Sequence, residues 1–144
     1  MLLQKKTPTP LAQAVAPKNK CYGVMLPYTP IHYLIFREAE FLSLVMTSAN
    51  LTDEPICIDN DEAVERLKGI ADAFLVHDRR IHARSDDSIV RVMAGRPRIL
   101  RRARGYVPLP IVLSEEGPPA LGVGAELKGT VCLAKGRNLS LIHI

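Results

Sequence analysis

The sequence of 144 residues lacks tryptophan, and aromatic residues make up only 5% of it. Its three cysteines, Cys21, Cys57 and Cys132, form no CxxC pair, which argues against a zinc site and against a disulfide framework. No apolar run approaches the roughly 18 residues that span a membrane, and the start lacks the long apolar segment of a signal peptide. We therefore expect a cytoplasmic protein that does not enter the membrane.

Apolar residues, basic charge and proline are well represented. Hydrophobic residues make up 47% of the chain, which is enough to form a core. The net charge of +4 predicts anionic partners in general, such as nucleic acid, nucleotide or phosphate, without choosing between them. Eleven prolines indicate many turns or a linker.

The pattern of apolar and turn-forming residues predicts an α/β fold. Prolines disfavour continuous secondary structure over residues 1–20. The run 31–36 fits a strand or a buried helix, and the runs 42–46 and 73–76 fit strands. Asp59 and Asn60 stand where a helix cap belongs, with apolar residues at helical spacing behind them. This pattern predicts a helix over 61–68.

The C-terminal half predicts a hairpin and then a change of domain. Residues 87–93 fit a half-buried strand, and Ala94-Gly95 fits a tight turn into a second strand that begins at Arg96. Residues 107–119 contain four prolines, which predicts a semi-rigid linker. Two short strands are expected beyond it, around a turn near Lys128-Gly129, with too few residues to bury their own core.

The segment Thr47-Ser48-Ala49-Asn50 directly follows the predicted strand 42–46. Ligands often bind at the carboxyl ends of strands in open α/β sheets, and small hydroxyls, an amide and free backbone N–H groups can surround a phosphate. The same residue types are common in turns and helix caps, where they form local hydrogen bonds. Both interpretations stay open at this point, and the turn or cap is the more frequent one.

Nine arginines lie between residues 79 and 104. Arginine binds phosphate or carboxylate in bidentate fashion, so several that converge on one pocket could hold a polyphosphate. Because side chains of a hairpin alternate between its faces, most of these arginines are expected to be solvated charges. Arg101, Arg102 and Arg104 are the better candidates, since they lie close to Gly105, where the backbone can approach a ligand.

Asp86 and Asp87 precede Ser88 at the start of the predicted hairpin. Paired carboxylates could hold Mg²⁺ beside the phosphates of a nucleotide. They could also be turn residues that pair with the neighbouring arginines, and the residues alone favour that interpretation. The four histidines show neither HxxxH nor HExxH spacing, so no metal site built from protein ligands is predicted.

Several of these segments occur together in one known family. The most specific are TSANLTDEPI, HARSDDSIVR and RRARGYVP, and GVMLPYTPIHYLIF and ALGVGAELKGTVCLAKG flank them. Read together, from about Tyr22 to Arg137, they resemble the HypF family of hydrogenase-maturation carbamoyltransferases. The resemblance implies the C-terminal portion of a YrdC-like twisted-sheet domain over 1–106 and a linker over 107–119. It also implies the first strands of a glycoprotease-like domain with an actin-like ATPase fold over 120–144.

The resemblance implies a specific activity. In this family the YrdC-like domain joins a carbamoyl group, derived from carbamoyl phosphate, to ATP, giving carbamoyl adenylate and pyrophosphate. The next domain passes the carbamoyl group to the terminal cysteine of a HypE-type acceptor protein, and dehydration then yields the cyanide ligand of the nickel–iron centre. ATP with Mg²⁺ is therefore expected as a substrate, and zinc only in modules of the family that this chain lacks.

The resemblance also implies binding residues. Ser48 and Asn50 match the SxN element of the YrdC-like domain, Ser88 matches the serine of its following strand, and Arg101 matches the arginine after its last hairpin strand. The full set of expected contacts to ATP phosphates or carbamoyl adenylate is Thr47, Ser48, Asn50, Ser88, Arg101 and Arg104. No catalytic residue is assigned.

Parts of the family pattern are absent. The chain lacks the early lysine and arginine element of the YrdC-like domain, as well as the acylphosphatase and zinc-finger modules. Its last residues, LSLIHI, depart from the expected continuation. We therefore expect a truncated reading frame that is inactive on its own, and we assign no metal role to His143.

Two alternatives remain from the sequence. A YrdC-type threonylcarbamoyl-adenylate synthase, which serves tRNA modification, shares the core chemistry, but the segments after residue 101 continue into a second domain of the HypF type. A basic RNA-binding module is the other alternative. It would use stacking aromatics for single strands, and residues 79–104 contain none. We therefore expect no nucleic-acid partner.

Overall fold

The structure, a computed structural model, describes residues 1–124 and 129–143. Its strands are β1 (Leu2–Gln4), β2 (Cys21–Gly23), β3 (Ile89–Met93), β4 (Arg96–Arg101), β5 (Ile111–Val123) and β6 (Thr130–His143). Its helices are α1 (Pro30–Glu38), α2 (Asn60–Leu67) and a short 3-10 helix (Gln13–Val15). Among these described residues, no helix has the length and apolar character needed to cross a membrane. The α/β class predicted from the sequence is confirmed.

The chain divides into two compact units. The first contains residues 1–47 and 89–101. Its four strands form one sheet in the order β2-β1-β3-β4, in which β1 is parallel to β3 and the other two pairs are antiparallel. The second unit contains residues 48–88 and the chain from 102 onward, including α2 and the β5–β6 pair.

The predicted hairpin is present as β3 and β4. Ala94 and Gly95 form its turn with φ values of 52° and 71°, the left-handed conformations that two-residue hairpin turns need in order to follow the twist of the strands. Arg91 and Arg98 stand directly opposite each other in the ladder. The register shifts between Ile89 and Val90, at the start of β3.

Both helices begin at residues that favour a helix start. Asp59 caps α2, because its carboxylate accepts hydrogen bonds from the backbone N–H groups of Asp61 and Glu62 at 2.9 and 3.1 Å. The helix predicted over 61–68 is therefore confirmed, and it begins and ends one residue earlier than predicted. The run 31–36, left between strand and helix, is helical, with Pro30 at a first-turn position where its missing N–H costs nothing.

Three predictions about strands are wrong. Residues 42–46 and 73–76 form no strand, and residues 1–20, where none was expected, contain β1. A strand is stable only when a neighbour takes up its backbone hydrogen bonds, and β1 has β2 and β3 as neighbours. The runs 42–46 and 73–76 pair with no strand in the described part of the chain. Most of their apolar side chains are exposed, at 82% for Leu42 and 79% for Leu75, whereas Phe74 is half-buried.

Much of the proline-rich segment predicted as a linker belongs to a strand. β5 begins at Ile111 and pairs antiparallel with β6, but the register shifts twice between Val112 and Ala120. Pro118 and Pro119 lie in that interval, and proline has no N–H to contribute to a ladder. The two strands expected around Lys128-Gly129 are present and longer than predicted, whereas the turn itself falls largely outside the described residues. The domain boundary stays a prediction.

Candidate functional site

The Ser48–Asn50 segment forms a tight turn at the start of the second unit. The N–H of Asn50 donates to the carbonyl of Ser48 at 3.1 Å, and the N–H of Cys57 donates to the carbonyl of Ala49 at 2.8 Å. The side-chain amide of Asn50 donates to the carbonyl of Leu51 at 2.7 Å. Its Oδ1 atom is buried and accepts no hydrogen bond from the described residues. A buried acceptor without a donor is costly, so this atom offers a place for a donor group of a ligand.

The residues after the turn form a compact loop. The N–H of Glu54 donates to the carbonyl of Leu51 at 3.1 Å, which closes a four-residue turn. Asp53 lies inside it with a φ of 62°, a left-handed conformation that aspartate tolerates better than most residues. Cys57, which is buried at 6% exposure, ends the loop with its bond to Ala49. The loop therefore starts and ends beside the Ser48–Asn50 turn.

Arg66, on α2, binds this loop. Its guanidinium donates to the carboxylates of Glu54 and Glu62, and to the carbonyl of Pro55 at 3.3 Å. The hydrogen bonds with Glu54 and then Glu62 raise the pKa of Arg66 above its ordinary value. Arg66 was not among the residues predicted for the site, although its spacing from Glu62, four residues apart on one helix, is the signal of an ion pair.

Arg84 binds the same loop from the segment that precedes β3. Its Nε donates to the carbonyl of Ile56 at 2.8 Å, and one of its terminal nitrogens lies 3.7 Å from the carboxylate of Glu62. Asn60 donates to the carbonyl of His77 at 2.8 Å. The segment containing the unpaired run 73–76 is thus attached to the start of α2 by a side chain. Most arginines between residues 79 and 104 were expected to be solvated charges, and Arg84, although exposed, also binds a backbone carbonyl.

Ser88 holds the segment that follows β4. Its hydroxyl accepts a hydrogen bond from the N–H of Ala103 at 2.8 Å and donates its proton to the carbonyl of Arg104 at 2.9 Å. Ala103 is fully buried. A serine hydroxyl has one proton to donate, and here that proton is used within the protein. To donate to a phosphate, Ser88 would have to release the carbonyl of Arg104.

Two of the remaining candidate cations have protein partners. Arg104 donates to Asp87 at 2.6 Å, and its N–H donates to the carbonyl of Asp86 at 3.3 Å. Arg102 donates to the carbonyls of Tyr106 and Leu109 at 3.1 and 2.9 Å. The ion-pair interpretation of Asp87 is therefore the one that the geometry favours over Mg²⁺. Within residues 1–124 and 129–143, no group of three or more His, Cys, Asp or Glu side chains could hold a metal ion.

The structure brings together some of the predicted site residues. Ser88 and Arg104 contact each other in the second unit, which also contains the turn of Ser48 and Asn50. Thr47 and Arg101 are the last residues of the two segments that form the first unit. The Ser48–Asn50 turn, with its buried acceptor, is thus the clearest candidate for binding a ligand.

Comparison with known proteins agrees with this fold and with these motifs. Residues 1–103 match the model of the Sua5–YciO–YrdC family, described as telomere recombination, so the chain belongs to that family. Within it, the chain is similar to the carbamoyltransferase HypF of Synechocystis sp., with 48% identity over 94% of this chain. That alignment covers 18% of the HypF chain.

Two solved structures extend this similarity. The crystal structure of full-length HypF in the phosphate- and nucleotide-bound form matches 99% of this chain, with 50% identity and a TM-score of 0.86. The structure of HypF from T. kodakarensis matches 97%, with 43% identity and a TM-score of 0.85. The chain spans 22% and 18% of those two proteins. The resemblance to HypF predicted from the sequence is confirmed.

Proposed function

We propose that this chain belongs to an ATP-dependent carbamoyltransferase of the HypF type and contributes part of the site that makes carbamoyl adenylate. The observation that carries the proposal is the 50% identity, over 99% of the chain, to a HypF whose structure contains phosphate and nucleotide. The Ser48–Asn50 turn supports it, because this turn contains hydroxyl and amide side chains of the kinds that bind phosphate.

The proposed reaction needs charge stabilisation rather than a covalent nucleophile. Water hydrolyses carbamoyl phosphate, which breaks its bond to phosphorus and releases inorganic phosphate and carbamate. A carboxylate oxygen of that carbamate then forms a bond to the α-phosphorus of ATP. The bond from that phosphorus to the bridging oxygen breaks, and pyrophosphate leaves with the electron pair. Ser48, Asn50 and Arg101 would supply hydroxyl, amide and guanidinium donors to the negative charge that develops. Thr47 would add a further hydroxyl.

Asn50 suits the carbamoyl end of the product. A carbamoyl group has an amino group with two hydrogens to donate, and the Oδ1 of Asn50 is a buried acceptor without a donor. A hydrogen bond between them would satisfy both groups.

Ser88 and Arg104 are proposed to act near the phosphates in different ways. Ser88 would hold Ala103 and Arg104 in place, because its proton is used on the carbonyl of Arg104. Arg104 would reach a phosphate by exchanging its exposed partner Asp87 for the ligand. Mg²⁺ would enter with ATP as part of the substrate, held mainly by phosphate oxygens.

The remaining parts of the HypF activity are also proposals for this chain. They comprise cytoplasmic location, a boundary near 107–119, an actin-like fold beyond residue 120, and transfer to a HypE-type acceptor protein. The β5–β6 pair is consistent with the first strands of a further domain, and the similarity to HypF extends across it.

Pyrophosphate release from ATP tests the proposal. We would measure it with the complete open reading frame that carries this chain, with and without carbamoyl phosphate. Release is expected to require carbamoyl phosphate and to fall about 10²-fold or more in Ser48→Ala and Arg101→Ala, because each removes a donor to developing charge. Ser43→Ala and Arg37→Ala are matched controls at exposed positions, and neither should change the rate.

The other outcomes are equally informative. If pyrophosphate release needs threonine and bicarbonate instead of carbamoyl phosphate, the protein is a threonylcarbamoyl-adenylate synthase and the proposed activity is refuted. Unchanged release in both alanine variants would refute the site while keeping the activity. No release under either condition would refute the enzyme assignment.

A further inference from the structure

Three consecutive residues of the loop after the Ser48–Asn50 turn are each bound by an arginine. The carboxylate of Glu54 and the carbonyl of Pro55 accept hydrogen bonds from Arg66. The carbonyl of Ile56 accepts one from Arg84 at 2.8 Å. Two arginines that are 18 positions apart in sequence therefore hold the same stretch, which we call the clamped segment, residues 54–56.

Glu62 joins the two arginines. One of its carboxylate oxygens accepts from Arg66, and the other lies 3.7 Å from a terminal nitrogen of Arg84. The side chains of Arg66 and Glu62 are only 23% and 30% exposed, so this ion pair is less screened by solvent than a surface pair. Networks of several charges also hold their geometry better than isolated surface pairs do.

The clamped segment ends where the backbone returns to the turn. Cys57 follows Ile56, and its N–H donates to the carbonyl of Ala49 at 2.8 Å. Ala49 lies between Ser48 and Asn50, and the N–H of Asn50 closes the turn on the carbonyl of Ser48. A displacement of residues 54–56 would therefore move Cys57 and, through its hydrogen bond, the turn.

We propose that Arg66 and Arg84 are positioning residues that hold the Ser48–Asn50 turn through residues 54–57. The inference rests on the proposed nucleotide site at that turn. Neither arginine contacts the ligand in this account. Arginine is needed because its planar fork can bridge two carboxylates and a carbonyl at once, whereas lysine offers a point charge.

Kinetics of the complete reading frame test the role in catalysis. Arg66→Met is expected to lower kcat/KM for ATP by about 10- to 100-fold, since a 1 Å misplacement of reacting groups can cost about 10²-fold. Arg66→Lys is expected to recover little of this loss. Lys68→Met is the matched control, because Lys68 lies at the C-terminal cap of the same helix and its side chain forms an exposed pair with Glu65. It should leave kcat/KM unchanged.

A double-mutant cycle separates positioning from general destabilisation. If Arg66 acts through the turn, its replacement should cost roughly twofold or less in an Asn50→Ala background, because residues that act as a unit are not additive. An equal fold loss in both backgrounds would overturn the proposal. Arg84→Lys keeps the charge but loses the Nε–H that binds Ile56. It should therefore show the same pattern of losses as Arg66→Met. It replaces Arg66→Met in the cycle if that variant does not fold.

Thiol labelling gives a readout that does not depend on activity. Cys57 is buried, and release of the clamped segment should raise its alkylation rate about tenfold, as local opening becomes easier. Cys21 and Cys132 are internal references whose rates should not change. A raised labelling rate without any pyrophosphate release would support the positioning role of the two arginines and refute the proposed function. An unchanged labelling rate in both arginine variants would refute the positioning role of the two arginines, whatever the activity.

Discussion

Residues 48–68 and residues 42–46 are adjacent in sequence but differ in what holds them. The first stretch has a helix cap at Asp59, a closed loop that ends at Cys57, and arginine contacts to its backbone. The second has apolar side chains that are exposed, including Leu42 and Val45 at 82% and 78%. Leu75 and Val76 are exposed in the same way.

The difference shows which interactions a short stretch of chain can form with residues close to it in sequence. Caps, turns and ion pairs join groups a few positions apart, so 48–68 finds most of its partners nearby. An apolar run can be stabilised as a strand only by a neighbouring strand and by a surface that covers its side chains. The described residues supply neither to 42–46. Polar contacts therefore order this part of the chain more than burial does.

Ser88→Ala is expected to have the largest effect among the polar contacts, because it removes a hydrogen bond at a buried position. The buried N–H of Ala103 would lose its acceptor, at a cost of about 1–3 kcal/mol in the free energy of unfolding. Urea denaturation of the whole chain measures the change. Ser43→Ala, at an exposed serine, is the control. Equal stability of the two variants would show that the hydroxyl of Ser88 holds nothing.

Asp59→Ala is expected to cost about 1 kcal/mol, the usual value of a helix N-cap. The N–H groups of Asp61 and Glu62 would lose their acceptor. Far-ultraviolet circular dichroism during urea denaturation reports the loss. Asp72→Ala changes an exposed aspartate outside the helix and should have no such effect. A cost no larger than that of the control would contradict the inference that local polar contacts hold this stretch.

Ala94→Asn is expected to stabilise the chain by roughly 0.5–1 kcal/mol, because asparagine tolerates the left-handed conformation better than alanine does. Ala94 has a φ of 52° in the hairpin turn, and Asn-Gly is the preferred pair there. Thermal denaturation checks the sign. A destabilised variant would mean that the turn differs from the one described.

Leu42→Ser and Val45→Ser are expected to have the smallest effect, within about 0.5 kcal/mol, as is usual for exposed positions. Leu67→Ser is the contrasting variant, since Leu67 is buried at 8% exposure, and it should cost several times more. A large cost at Leu42 or Val45 would show that the run is covered, and the comparison of the two stretches would fail.

Local signals allowed part of this structure to be predicted. The helix near Asp59 and the hairpin at Ala94-Gly95 follow from caps and turn residues that act over a few positions. The strands expected at 42–46 and 73–76 depend on partners that the sequence pattern cannot specify. The apolar composition of these runs was therefore an insufficient signal.

The residues of the candidate site also divide into those marked by a local motif and those whose partners lie elsewhere in the sequence. Ser48 and Asn50 were found because they form a short motif, and their turn is present. The roles of Arg66 and Arg84 were not identified because their partners include the carbonyls of Pro55 and Ile56. No residue type marks a carbonyl in the sequence. Ser88 was assigned to the ligand by resemblance, whereas its hydroxyl binds the backbone of Ala103 and Arg104.

Amide hydrogen exchange of the complete reading frame, with and without ATP–Mg²⁺ and carbamoyl phosphate, tests the central claim most directly. Nucleotide binding would be established in the same samples by equilibrium dialysis. We predict that the ligands slow exchange in residues 48–57, including the N–H groups of Asn50 and Cys57. Bound nucleotide without any slowing in 48–57 would contradict the claim that the Ser48–Asn50 turn forms the nucleotide site.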